Sequence, residues 1–279
     1  MMENKKGEIS LEEHRKIMLN ILKEFASFCN KHNLRYFLDA GTLLGAVRHQ
    51  GFIPWDNDAD VAMPREDYDK FLKIMAERGD KINDYIVLER PEDTIYKFLK
   101  IGDNRTSLIE FENKAPIDCY CYIDVFPKDG IYELNNYTKR LCKKTERLGV
   151  LHWFNKYSID YWTKRKKGIK KIIAKIAKVF IKDRNWAYKK QCKVIKKHNK
   201  KHPYNECKYV TTLVNGEYHK CALKEYFDDF CLLNFEGETF KAPIGYDGYL
   251  KVLYPGDYMQ LPPEDKRMVH EVKVSWRNN

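Results

Sequence analysis

Leu38-Asp39-Ala40-Gly41-Thr42-Leu43-Leu44-Gly45-Ala46-Val47-Arg48-His49, followed by Gly51-Phe52-Ile53-Pro54-Trp55-Asp56-Asn57-Asp58-Ala59-Asp60-Val61-Ala62-Met63, sets a small-residue turn ahead of three carboxylates at alternate positions. In an extended strand alternate side chains share a face. The spacing therefore predicts Asp56, Asp58 and Asp60 converging on one pocket while Ala59 and Val61 face the core. Carboxylates crowded in this way repel unless a cation sits among them, and an oxygen-only donor set favours Mg²⁺ or Mn²⁺. The flanking Phe52-Ile53-Pro54-Trp55 and Val61-Ala62-Met63 argue for a core strand, not a surface turn. An EF-hand calcium loop would use the same three aspartates, but it needs Gly at its sixth and Glu at its twelfth position, where this chain has Val61 and Asp67. A catalytic metal site is the better reading.

Upstream, Ser10-Leu11-Glu12-Glu13 forms a capping box, and Ile17, Ile21, Leu22, Phe25, Phe28 and Cys29 recur at helical spacing, which predicts a helix from Leu11 to Lys31. Arg35 to Ala40 reads as a strand, Leu43 to Arg48 as a short helix, and Asp58 to Met63 as a second strand that Pro64 turns into a helix through Met75. Tyr85–Glu89, Ile95–Ile101, Ser107–Phe111 and Cys121–Phe126 are further strands, the last closed by a Lys128-Asp129-Gly130 turn. Lys97 and Lys100 alternate poorly on a strand, so at most one should reach the carboxylates. Phe235-Glu236-Gly237-Glu238-Thr239-Phe240 reads as a hairpin and Tyr246 to Tyr254 as a short helix ended by Pro255-Gly256. The expected class is α+β, a mixed sheet core with flanking helices and a helical basic insertion. Three regions follow: a catalytic core over 1–133, a helical basic subdomain over 134–202, and a part completing the core and acceptor site over 203–279.

The chain of 279 residues carries a formal net charge of +11, but the charge is uneven. Thr163 to His202 holds 17 basic residues and one acidic residue; the remainder holds 34 basic and 39 acidic, net −5. Ile169, Ile172, Ile173, Ile176 and Phe180 share one stripe and Lys171, Lys175, Lys178 and Lys182 another, with Trp162 and Trp186 near the ends. Such a segment fits an anionic membrane or polymer; an ordinary helix with a solvated lysine face is the equal alternative. The eight cysteines are scattered without metal-ligand spacing and are expected to be reduced thiols. No apolar run reaches membrane-spanning length and the start lacks a secretory pattern, so a cytoplasmic protein is expected, at the inner face of the membrane if the basic segment docks there.

Ala40-Gly41-Thr42-Leu43-Leu44-Gly45-Ala46-Val47-Arg48-His49, Pro54-Trp55-Asp56-Asn57-Asp58-Ala59-Asp60, Ile123-Asp124-Val125-Phe126-Pro127, and Tyr249-Leu250 through Gly256-Asp257-Tyr258-Met259 to Leu261-Pro262-Pro263 together resemble the LicD family of phosphotransferases. The matches run from Leu34 to Arg267, and the basic middle segment is the least matched. The resemblance implies a nucleotidyltransferase-like fold and a third acidic residue from a later strand. It also implies transfer of phosphocholine from CDP-choline to a hydroxyl of a cell-surface glycan or a lipid-linked teichoic acid precursor, releasing CMP. Relatives transfer other phospho-alcohols, so CDP-ribitol or CDP-glycerol are alternative donors. A nucleotidyl transferase consuming a nucleoside triphosphate is a further alternative, and a non-catalytic basic adaptor a third; no nucleic acid partner is expected. The family often has Asp where Asn57 stands and Ile where Ala59 stands, and Pro255 adds a residue before Gly256-Asp257.

On this basis Asp58, Asp60 and Asp124 are the expected catalytic residues, with Asp56, Asp58, Asp60 and Asp124 as metal ligands. By spacing alone Asp124 reads equally as a strand-end aspartate binding a turn amide; the resemblance places it in the site and makes it the base for the acceptor hydroxyl. Gly41 and Thr42 are expected to present backbone amides to the diphosphate at a helix start. Arg48 is expected to hold a phosphate, His49 to orient substrate, and Trp55 to offer an aromatic face to a choline headgroup. Ordinary structural roles for these three stay open on sequence grounds.

Overall fold

The computed structural model describes residues 7–112, 115–156, 183–267 and 272–277. Helix α1 (Leu11–Lys31) begins at Ser10, whose Oγ accepts from Glu13 N at 3.2 Å, and buries Ile17, Met18, Ile21, Leu22, Phe25, Phe28 and Cys29. These positions lie three and four apart, the interval that puts side chains on one helical stripe. Strand β1 (Phe37–Leu38) leads into α2 (Ala40–His49), then β2 (Asp60–Pro64), α3 (Arg65–Glu77), β3 (Ile86–Glu89), β4 (Leu99–Glu112) and β5 (Ala115–Ile131). Helices α4 (Asn136–Lys156) and α5 (Trp186–Lys201) come next. The chain ends with β6 (Tyr209–Thr211), β7 (Ala222–Leu223), the hairpin β8 (Phe230–Phe235) and β9 (Glu238–Pro243), α6 (Tyr246–Leu253) and β10 (Val272–Trp276).

The main sheet has the order β1-β2-β5-β4; β3 and β10 both pair with β4, at different stretches of that strand. Among the described residues only β2 and β5 run parallel, so the sheet is mixed. This is the α+β architecture expected. Val61, Ile123, Val125, Leu99 and Ile101 are fully or almost fully buried in one core with Phe25, Phe37 and Phe71. The C-terminal part returns to this sheet through β6, which pairs with Asp129–Ile131 of β5, and through β10.

Several local expectations change. The first strand shrinks to two residues, and the strands expected at Ile95–Ile101 and Ser107–Phe111 are one strand with a register shift between Asp103 and Leu108. The turn expected at Lys128-Asp129-Gly130 is strand. Asp129 and Gly130 pair with Thr211 and Val210, and Arg65 Nε and Nη2 hold the two Asp129 oxygens at 2.7 and 3.1 Å. Gly130 serves close packing, since a Cβ there would lie 2.7 Å from Cys207 Sγ. The hairpin arrives as expected, with Glu236 and Gly237 at φ +54° and +78°, the turn geometry that matches strand twist. All eight cysteines are free thiols. Among the described residues no helix is long and apolar enough to cross a membrane. The stripe at 169–180, with Trp162, lies outside the described residues.

Candidate active site

The pairing of β2, β5, β4 and β3 sets four charged residues directly across from one another: Asp60, Asp124, Lys100 and Glu89. Direct cross-strand partners share a face, so two aspartates meet a buried lysine on one row. Lys100 is 1% exposed; its Nζ donates to Asp124 Oδ1 at 2.7 Å and lies 3.1 Å from the Tyr122 ring centroid and 3.9 Å from that of Tyr96. Both phenol hydroxyls donate to Glu110. Lys97 goes elsewhere, its methylenes lying where a Cβ on Gly149 of α4 would stand.

Only Asp60 of the three alternating aspartates is in a strand; Asp56 and Asp58 lie in the preceding loop. That loop bends because Asp56 N donates to Ile53 O at 2.8 Å, and because Arg15 Nη2 of α1 donates to the carbonyls of Ile53, Pro54 and Asp56 at 2.9, 3.0 and 2.8 Å. Phe52 N is held at 2.9 Å by Glu236 Oε1 from the hairpin tip. Ala59 is fully buried and its carbonyl accepts from Asp124 N at 2.8 Å, tying the loop to β5.

The carboxylates feel each other. Burial pushes Asp56 up to about 8, assisted by Asp58. Burial raises Asp60 well above the carboxylate range, with Asp58, Asp124, Asp39 and Asp56 adding to it. Asp124 rises to about 7 through burial, although Lys100 pulls it down. Carboxylates placed in this way keep their charge only at a cost, which a bound proton or a cation relieves. The donor chemistry, carboxylate oxygen throughout, fits a hard divalent ion. Among the described residues no three His, Cys, Asp or Glu side chains meet closely enough as they stand to enclose one ion.

The small residues expected to form a turn before a helix at Leu43 are instead the first turn of α2, because Ala40 takes up the change of direction, and they shape this site. A Cβ on Gly41 would sit 2.7 Å from Asp56 Oδ2, so glycine lets the carboxylate cross the helix start. Thr42 Oγ1 accepts from Asp60 N at 2.7 Å and is thereby committed to positioning β2. The first amides of α2 have no partner within the helix, as at any helix start. Ala40 has φ +41°, a left-handed conformation for a non-glycine residue. Its neighbour Asp39 is buried and locked, with Lys128 Nζ at 2.7 Å from Oδ2 and Tyr249 OH donating to Oδ1 at 2.5 Å.

The remaining residues singled out in the sequence have protein partners. Arg48 donates through Nη1 to the carbonyls of Tyr258 and Gln260, at 2.8 and 3.3 Å, and through Nε to His49 Nε2 at 2.9 Å. It straps the C-terminal loop to the end of α2. The guanidinium of Arg267 covers the face of Trp55 at 4.7 Å, and His49 meets that ring edge-on. Other residues of the site carried no sequence signal. Tyr254 is raised by burial and by the charges of Asp60, Asp39, Asp56 and Asp58. His14 is almost fully buried, neither ring nitrogen has a hydrogen-bond partner, and it senses Asp58. Arg15, Asp39, Lys128 and Tyr249 are charged or polar residues that a pattern search discards, because each acts through a partner distant in the chain.

Residues 33–147 match the family model for the LicD/FKTN/FKRP nucleotidyltransferase domain. The lipopolysaccharide cholinephosphotransferase LicD of Haemophilus influenzae is 30% identical over 278 residues, covering 96% of this chain and 98% of that protein. An uncharacterized protein of Rickettsia typhi is 40% identical over 129 residues, 45% of this chain and 38% of that protein. Ribitol 5-phosphate transferase FKRP of Homo sapiens is 53% identical over 34 residues, 12% of this chain and 7% of that protein. The likeness to the Haemophilus protein covers both chains almost end to end, and it falls on a chain that gathers Asp56, Asp58, Asp60 and Asp124 around one strand pair: the protein belongs to the LicD family of phosphotransferases.

Proposed function

We propose that this chain transfers phosphocholine from CDP-choline to a hydroxyl of a cell-surface glycan or teichoic acid precursor, releasing CMP. The observation that carries the reading is the 30% identity over 278 residues to a cholinephosphotransferase, which extends beyond the carboxylate motif into the C-terminal loop that Arg48 straps down. The 34-residue match to a ribitol 5-phosphate transferase supports a second reading, the same reaction with a ribitol or glycerol phosphate donor.

Asp58, Asp60 and Asp124, with Asp56 beside them, are the residues that would hold Mg²⁺ or Mn²⁺. Such an ion, when bound, neutralises diphosphate charge. The α2 amides of Gly41 and Thr42 face an anion with the positive end of the helix. Lys100 fixes Oδ1 of Asp124 and leaves Oδ2 to accept the proton of the acceptor hydroxyl. As the acceptor hydroxyl oxygen bonds to the choline-bearing phosphorus and gives its proton to Asp124, the bond from phosphorus to the bridging oxygen breaks and CMP leaves with the electron pair.

The test is CMP release by purified protein with Mg²⁺ and a panel of CDP-alcohols, with and without a glycan acceptor. Release from CDP-choline supports the reading, and release from CDP-ribitol or CDP-glycerol alone moves the donor and keeps the mechanism. Silence across the panel, with pyrophosphate formed from nucleoside triphosphates, overturns it.

A further inference from the structure

Helices α4 and α5 pack against each other, with Gln191 Nε2 donating to Thr145 O at 2.7 Å and the Tyr137 ring stacked on His198. Their buried sides hold Leu141, Cys142 and Leu148 on α4 and Ala187, Gln191 and Ile195 on α5. The opposite sides are strongly basic. On α5 all seven lysines, Lys189, Lys190, Lys193, Lys196, Lys197, Lys200 and Lys201, are exposed, and the helix has no acidic residue. On α4 Lys139, Arg140, Lys143, Lys144 and Arg147 are exposed, against one exposed acid, Glu146. Of these twelve cations only Lys189 has an ion-pair partner among the described residues, Asp183 at 2.9 Å. A folded surface that only needs solubility mixes the two signs; this one concentrates a single sign along helices about 31 and 24 Å long.

Apolar side chains stand exposed on the same helix pair and its approach: Tyr132, Leu134 and Tyr137 at the start of α4, Val150 and Leu151 towards its end. Cations alone would suit any polyanion. Leucine, valine and tyrosine among them suit a layer with an apolar interior beneath its charge, which a polynucleotide lacks.

We infer that the paired outer faces of α4 and α5 dock the protein on an anionic lipid bilayer. This goes beyond the transfer reaction and does not depend on which phospho-alcohol is donated. Each lysine near an anionic bilayer strengthens binding roughly fivefold, and the attraction falls with added salt.

The experiment is co-sedimentation of the full chain with vesicles of phosphatidylcholine alone and of phosphatidylcholine with phosphatidylglycerol at about 3:1, at low and high salt. A variant carrying Lys193→Gln, Lys196→Gln, Lys197→Gln and Lys200→Gln is compared with Val150→Ser/Leu151→Ser. Expected are binding only to the anionic vesicles, loss of at least a hundredfold in affinity in the lysine variant, and several-fold weakening in the apolar variant at unchanged charge. Circular dichroism checks that both variants keep the native helix content. No binding to anionic vesicles at low salt, equal binding to both vesicles, or an undiminished lysine variant overturns the inference. So does tighter binding of a single-stranded RNA oligomer, indifferent to the Val150/Leu151 change.

Discussion

Lys100→Met keeps the length of a fully buried side chain and removes its charge, which isolates what the ammonium does for Asp124. The lysine loses a 2.7 Å bond to Asp124 Oδ1 and its place over the Tyr122 and Tyr96 rings. Lost ring contacts and one hydrogen bond cost about 1–2 kcal/mol at a desolvated site. At pH 6 little more is lost, because Asp124, at about 7 with the lysine present, is already mostly protonated. At pH 8 the native carboxylate is charged, and in the variant it must either stay charged without its partner or take up a proton. One bound proton over the interval from 7 to 8 adds about 1–2 kcal/mol, for roughly 3 kcal/mol in all. At about 3 °C per kcal/mol for a chain of this size, the melting temperature should fall by about 4 °C at pH 6 and about 9 °C at pH 8. Thermal melts by circular dichroism in EDTA read this directly. CMP release at pH 7 should drop at least tenfold, because a neutral Asp124 neither binds a cation nor accepts a proton. Melting temperatures equal to the unsubstituted protein at both pH values, with turnover intact, would refute the role assigned to this lysine.

Asp58→Ala and Asp60→Ala should each abolish transfer with the fold retained, whereas full activity in either removes the carboxylate site from the mechanism. In EDTA, Asp60→Asn should raise the melting temperature at pH 8, because it relieves repulsion among Asp56, Asp58 and Asp124. Arg15→Met frees three carbonyls of the loop carrying Asp56, so turnover should fall about a hundredfold while the melting temperature drops by only a few degrees; a steady-state assay beside a thermal melt separates the two. The pH dependence has a definite sign. Asp56 and Asp124 lie at about 8 and about 7 in the fold, against about 4 unfolded, so the native state binds more protons in between and stability falls as pH rises from about 4 to 8. His14 runs oppositely: burial lowers it to about 4, so the native state binds fewer protons below 6.5, and stability falls as pH drops through that range. In EDTA the melting temperature should therefore decline above pH 6.5, Mn²⁺ should restore it most at pH 8, and His14→Leu should flatten the acid side. A melting temperature that climbs from pH 6.5 to 8 in EDTA contradicts the carboxylate assignment.

The legible parts of this protein are those where one helix or one turn settles the outcome. Helix α1 matches its expected span because cap, periodicity and length all act within 21 consecutive residues. The Glu236-Gly237 hairpin is as local, since its positive φ angles need residues that tolerate them. The carboxylates were legible as a set: four aspartates flanked by apolar residues stand out in the sequence, and the structure brings Asp60 and Asp124 to neighbouring positions on paired strands. What misled was the assumption that alternation places them. Asp56 and Asp58 precede the strand, and their approach to Asp60 comes from Arg15, about forty residues earlier, pulling the loop into a bend. Lys128-Asp129-Gly130 carries turn residues, yet cross-strand pairing with β6 and the Arg65 ion pair outweigh that local preference.

Sequence by itself determined the span of α1, the place of the hairpin, the concentration of carboxylates between Gly41 and Asp60, and the family to which the motifs point, because those properties depend on neighbours along the chain. Only the tertiary structure decided that Lys100 stands between Asp124 and Glu89, that Lys128 and Tyr249 lock Asp39, and that Arg267 covers Trp55. Each of those pairings is made by segments remote in sequence. Their strength comes from burial, which removes water as a competing partner and turns an ordinary lysine or tyrosine into the only group able to meet a buried charge.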